Sequence, residues 1–130
     1  MIQIETTSHD PFFNQAFEDY VFRTYREGDV LLLWRNRPAV VVGCYQNICR
    51  EVHVRALLDR GIPVVRRMSG GGTVYHDLGN LNYTLISDQT GPLDYDRCLE
   101  PVIRALNALG IPAQKNRTCD IAVDGKKISG

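Results

Sequence analysis

The chain has 130 residues, enough for one domain that buries roughly two-thirds of the surface its unfolded form exposes. Apolar residues make up 44%, an ordinary globular share that is too high for disorder. Lys and Arg number 15, as do Asp and Glu, so the chain lacks the overall basic field of a general nucleic-acid or anionic-membrane binder. Any basic site must be local, and Arg66-Arg67 and Lys126-Lys127 are the clusters available.

From the N-terminus, Ile2-Gln3-Ile4-Glu5 alternates and predicts an edge strand. Asp10-Pro11 supplies a capping residue with proline at the first helical position. Phe13, Phe17, Tyr20, Val21 and Tyr25 then recur at helical spacing until Gly28, predicting a core-facing aromatic stripe. Val30 to Trp34 and Ala39 to Val42 read as strands, with Arg35-Asn36-Arg37-Pro38 between them as a hairpin signal. Their continuous apolar runs predict strands covered on both faces by helices.

Glu51 to Arg60 reads as a short helix closed by Gly61. Pro63-Val64-Val65 enters a glycine loop as a strand, and Leu81 to Ser87 leaves it as another. Asp94 to Leu109 is a helix stopped by Gly110-Ile111-Pro112. Cys119 to Val123, a turn at Asp124-Gly125 and Lys127-Ile128 predict a β-hairpin. The order of elements indicates an α+β domain with a mixed sheet. The cysteines Cys44, Cys49, Cys98 and Cys119 form no C-x-x-C pair, and Cys49 with His53 is too thin for a zinc site. With no signal peptide and no apolar run near ~18 residues, a reducing, soluble, cytoplasmic setting is expected, with free thiols and Cys98 on a helix face.

The most informative segment is Arg66-Arg67-Met68-Ser69-Gly70-Gly71-Gly72-Thr73-Val74-Tyr75-His76-Asp77-Leu78-Gly79-Asn80. Consecutive glycines cost backbone entropy on folding, which is worthwhile where a backbone must approach something closely or adopt positive φ. Bare peptide N–H groups beside two guanidinium groups suit a phosphate or a carboxylate. The loop is not a P-loop, since no Lys-Ser or Lys-Thr follows the glycines, and Tyr75 stands where a dinucleotide fingerprint needs its third glycine. Ser69, His76 and Asp77 contain the side chains of a hydrolase triad, but adjacent His76 and Asp77 in a strand point to opposite faces.

Over its whole length this segment resembles the signature of the lipoate–protein ligase family, with a double Arg, Ser-Gly-Gly-Gly and His-Asp-x-Gly-Asn in order. Upstream, Asn14-Gln15-Ala16-Phe17-Glu18-Asp19-Tyr20 and Val41-Val42-Gly43-Cys44-Tyr45-Gln46-Asn47 resemble that family's first helix and strand-to-loop segment. Downstream, Asp120-Ile121 and Gly125-Lys126-Lys127-Ile128-Ser129-Gly130 resemble its adenylate-binding strand and lysine. In many of these ligases Asn precedes the adenine-binding Asp, whereas Cys119 stands there here. The family's ligases continue with further sheet and a second domain, so residues 1–130 are expected to be a catalytic domain that stops before its C-terminal part.

The resemblance implies an α+β fold with a mixed, largely antiparallel β-sheet flanked by helices, like the catalytic domains of class II aminoacyl-tRNA synthetases and biotin-protein ligases. It implies an ATP-dependent ligase that activates lipoate as lipoyl-AMP. The lipoyl group would pass to a lysine on lipoyl domains of 2-oxoacid dehydrogenase E2 subunits or the glycine-cleavage H protein; nucleic acid and membrane are not expected partners. By the same resemblance Lys127 is the key catalytic lysine. Arg67, Ser69, Gly70, Gly71 and His76 line the lipoate pocket, while Gly72, Thr73, Val74, Tyr75, Asn80, Asp120 and Lys127 bind the adenylate. Asp120 is also the candidate contact for a nucleotide-borne Mg2+.

The chemistry fits these residue types. A carboxylate and an amine at neutral pH form only a salt, and adenylation supplies the activation. The protein must then position reactants and neutralise charge on phosphate and acyl oxygens. Two other functions are consistent with the sequence: a lipoyl or octanoyl transferase using a preactivated donor, and a non-catalytic lipoate- or adenylate-binding module.

Overall fold

The computed structural model describes residues 1–25, 27–87, 92 and 94–129. The chain divides into two units, Met1–Asp88 and Gln89–Gly130.

In the first unit, strand β1 (Ile2–Glu5) precedes helix α1 (Pro11–Thr24), which Asp10 caps by accepting from the Phe12 N–H. Two apolar strands follow, β2 (Val30–Trp34) and β3 (Ala39–Val42). The connecting residues do not make the expected hairpin, because β2 and β3 belong to different sheets. β2 pairs in parallel with β1 and antiparallel with β6 (Asn82–Ile86), so both its edges are taken. β3 pairs in parallel with β4 (Val64–Arg66) and antiparallel with β5 (Val74–His76). What redirects the chain is Asn36, whose side chain is fully buried instead of sitting on a turn.

Every residue of β3 is buried, as its unbroken valine run predicts, and β2 alternates between buried and half-buried. Leu32, Val30, Val41 and Val42 form the heart of this unit's core. The expected aromatic stripe on α1 does not. The helix ends at Thr24, and Phe13 and Tyr20 are 51% and 62% exposed. The inward face carries Pro11, Asn14 and Val21, with Glu18 half-buried beside them and bonded to Thr84. Polar side chains occupy helical positions that a hydrophobic pattern assigns to solvent.

The expected helix from Glu51 to Arg60 is two short ones, α2 (Ile48–Glu51) and α3 (Val54–Asp59). His53 breaks the run and caps α3 by accepting from the Ala56 N–H through Nδ1.

The second unit contains α4 (Tyr95–Ala108) and the antiparallel sheet β7 (Ala113–Lys115), β8 (Ile121–Val123) and β9 (Lys126–Ser129). Asp94 caps α4, and Gly110, at φ +81°, ends it as predicted. Leu99, Ala113 and Ile121 form its core, with Val102, Ile103, Leu106, Cys119 and Val123 packed around them. The Asp124-Gly125 turn has positive φ at both residues, +49° and +74°, the geometry of a tight β8–β9 hairpin. Gly130, the last residue of the lysine block, lies outside the described residues.

The expected α+β class with mixed, largely antiparallel pairing holds, and among the described residues the pairing is spread over three three-stranded sheets. All four cysteines are free thiols, with Cys98 half-buried on α4. None of the described helices is long and apolar enough to cross a membrane.

Candidate functional site

β4 and β5 flank β3, so the connection Arg67 to Thr73 must cross the end of β3. Gly43, the residue after β3, lies under that crossing. A Cβ on Gly43 would sit 2.2 Å from the Gly71 carbonyl oxygen, so only glycine admits the loop there. The Cys44 N–H donates to the Ser69 carbonyl at 3.0 Å, fixing the loop from the other side.

Both adjacent arginines are spent on carbonyls. Arg67 donates from Nε and Nη2 to Gly70 O at 3.1 and 2.7 Å, and from Nη2 to Gly72 O at 2.7 Å. Arg66 donates through Nη1 to the carbonyls of Gly43, Cys44 and Gln46. A guanidinium fork across two carbonyls of one loop covers the loop's negative ends. Among the described residues, no group accepts from the N–H of Gly70, Gly71 or Gly72. The loop is therefore an array of amide donors beside a cation, the electrostatic character of an anion nest. Gly71, at φ +92°, is the residue whose geometry needs glycine, and a Cβ there would also meet Arg67 Nη2 at 2.9 Å.

Thr73 closes the loop by donating its hydroxyl to Gln46 Oε1 at 2.8 Å, with Glu51 Oε2 at 3.3 Å. Gln46 Oε1 also accepts from the Gly43 N–H. Val74 and Tyr75 are exposed on β5, and Asn80 is tied back to the carbonyls of Asp77 and Tyr75.

His76 lies at the far end of β5 and is only 9% exposed. Its Nδ1 meets Asn36 Nδ2 at 3.2 Å, and its ring stands edge-on to Trp34. Asp77 is turned to the Gly79 N–H, so Ser69, His76 and Asp77 do not assemble a triad. Burial pushes the His76 pKa below 6.5; the Arg67 charge acts in the same direction and the Asp77 carboxylate opposes it.

The second unit holds Asp120 and Lys127 across the β8–β9 pair. Lys127 Nζ lies 3.0 Å from Asp120 Oδ1, while Oδ2 accepts from Thr118 Oγ1 and Asn116 Nδ2. The hydrogen bond from Thr118, then those from Lys127 and Asn116, hold the Asp120 carboxyl down at about 2. Cys119 stands at φ +61°, a left-handed conformation that asparagine adopts more readily than cysteine. No group of three or more His, Cys, Asp or Glu among the described residues could hold a metal ion.

Arg67, Ser69, Gly70 to Gly72 and His76 thus belong to one sheet of the first unit and its crossing loop, and Asp120 and Lys127 share one hairpin of the second. Sequence reasoning missed the roles of Gly43, Gln46, Asn14, Asn36, Asn116 and Thr118. Asn14, Gly43 and Gln46 stood in the blocks that carried the resemblance without a role being read for them, and Gly43 left a further signal, a glycine at the end of a buried valine run with no turn residue after it.

Residues 10–130 match the family pattern of the lipoyl protein ligase A/B catalytic domain. The lipoate-protein ligase LplJ of Bacillus subtilis is 43% identical over 125 residues, 94% of this chain and 38% of that protein. The mitochondrial lipoyl amidotransferase LIPT1 of Mus musculus is 41% identical over 98% of this chain and 35% of that protein. Among solved structures, lipoate-protein ligase A bound with ATP superposes with a TM-score of 0.87 at 26% identity, over 98% of this chain and 57% of that one. The chain therefore spans well under half the length of the curated relatives it matches.

Proposed function

The chain belongs to the lipoyl protein ligase A/B catalytic-domain family, and from that premise we propose that it is the activating part of a lipoate–protein ligase. It takes lipoate and ATP, with Mg2+ carried on the nucleotide phosphates, and makes lipoyl-AMP for transfer to a lysine of a lipoyl domain. Such acceptors are the E2 subunits of 2-oxoacid dehydrogenases and the glycine-cleavage H protein. A reducing cytoplasm suits its free cysteines.

The observation that carries this reading is the Arg67 clamp. By taking the Gly70 and Gly72 carbonyls, Arg67 leaves the glycine loop with donors and a positive charge to offer. Carboxylate and phosphate are the anions that must be held together when an acyl phosphate anhydride forms. Ser69, Gly70, Gly71 and His76 are assigned to lipoate, and Gly72 to Tyr75 and Asn80 to the adenylate. Lys127 brings an ammonium group to oxygens that gain negative charge, and Asp120 orients that ammonium.

A second reading is favoured by the similarity to a lipoyl amidotransferase: transfer from preformed lipoyl-AMP with no ATP step. Mass spectrometry of a lipoyl domain separates the two. Mass gain with lipoate, ATP and Mg2+ supports the ligase, and gain only with lipoyl-AMP supports the transferase. Binding of lipoyl-AMP without transfer would leave a non-catalytic module. Modification of free lysine or of an unrelated protein, with the lipoyl domain untouched, would contradict the substrate class itself.

A further inference from the structure

Asn14 and Asn36 are buried at 1% and 0% exposure, yet neither lies in the glycine loop or the lysine hairpin. Asn14 Nδ2 faces three acceptors: Ser8 O at 3.0 Å, Arg35 O at 2.9 Å and Asn36 Oδ1 at 2.9 Å. Reversing this amide would set oxygen against three oxygens, so its orientation is fixed. Asn14 Oδ1 is left buried without a partner, a cost that the arrangement tolerates. Because Asn14 donates to Asn36 Oδ1, Asn36 must turn its Nδ2 to His76 Nδ1 at 3.2 Å.

An Nδ1 that accepts carries no proton, so the neutral ring has its hydrogen on Nε2. Protonating Nδ1 would set two donors face to face. Turning Asn36 to relieve that would only move the conflict to Asn14. Among the described residues Nε2 has no partner, and Asn14 Oδ1 is the only buried side-chain nitrogen or oxygen left without one. Nε2 is therefore the polar corner of the ring that keeps access to solvent. The charged groups that act on the ring are Arg67, which opposes protonation, and Asp77, which favours it more weakly.

We propose that the Asn14–Asn36 pair is a positioning device that locks His76 as a neutral Nε2–H donor, which lines the acyl pocket and transfers no proton. The ligand half of this proposal rests on the lipoate reading above; the tautomer half does not.

Long-range 1H–15N spectra of the 15N-histidine-labelled full chain test it without ligand. His76 should show one tautomer, with Nδ1 unprotonated, between about pH 7 and about pH 8. In Asn36→Asp the new carboxylate should draw the proton to Nδ1 and raise the ring's pKa; in Asn36→Ala the two tautomers should average. A wild-type ring that is averaged or protonated on Nδ1 overturns the positioning role, as does an Asn36→Asp spectrum identical to wild type. Saturating lipoate should shift the Nε2–H resonance. If that resonance stays put in protein that still activates lipoate, the ligand role is wrong while the proposed function stands. If lipoate does not bind at all, the proposed function falls and the ligand-free spectra still decide the tautomer.

Discussion

Lys127 and Asp120 illustrate how one ion pair can separate chemistry from stability. Lys127 is 59% exposed on a hairpin, so Lys127→Ala should change unfolding stability by no more than ~0.5 kcal/mol. The same change should abolish adenylate formation and let the Asp120 pKa climb from about 2 toward 3.8, because one of its hydrogen-bond donors is gone. Turnover by the variant at the parent rate would contradict the role given to Lys127. His76 leaves a different mark on pH dependence. Its folded pKa lies below 6.5, so the unfolded chain takes up a proton first as the pH falls. The stability due to the neutral ring is present above 6.5 and is lost as the pH drops from 6.5 to the folded value. Asp120 acts separately, from 3.8 down to about 2. Denaturant midpoints at about pH 7.5 and about pH 5.5 should differ by less in His76→Gln than in the parent. An equal difference would mean that His76 is not held neutral.

At the scale of elements, the glycine loop and its seat make the sharper test. Gly43→Ala would put a methyl group 2.2 Å from the Gly71 oxygen, and neither backbone can yield without moving the loop. A loss of about 1–3 kcal/mol is expected from such overpacking, together with weakened lipoate binding. A methyl group on Gly70 would meet nothing within 4 Å, so Gly70→Ala should fold as well as the parent. Gly71→Val adds a branched Cβ at φ +92° and against Arg67 Nη2, so lipoate affinity should collapse before stability does. Lipoate binding by Gly71→Val as tight as the parent's would reduce the loop to a turn. The loop, the α4 stop at Gly110 and the Asp124-Gly125 turn were legible because glycine marks them locally. The β2–β3 link was not, since a turn-like Asn-Arg-Pro reads as a hairpin until Asn36 is found buried. Nor was the inward face of α1, where Asn14 and Glu18 take positions that a hydrophobic period gives to solvent.

Across the whole molecule, the four motif blocks lead to the α+β fold and to the family, because each block is a local pattern that survives without knowledge of pairing. What the sequence could not supply was the partitioning of strands into three sheets, which depends on contacts far apart in the chain. The paired arginines read as anion binders, whereas Arg66 and Arg67 first act on backbone carbonyls and shape the surface an anion would meet. The central claim is that this surface and Lys127 serve the activation of lipoate by ATP. Lipoate-dependent exchange of labelled pyrophosphate into ATP, measured with no acceptor protein, tests it most directly. The account predicts exchange that requires lipoate, disappears in Lys127→Ala and falls steeply in Gly71→Val; no exchange from protein that still transfers the lipoyl group from lipoyl-AMP would contradict it.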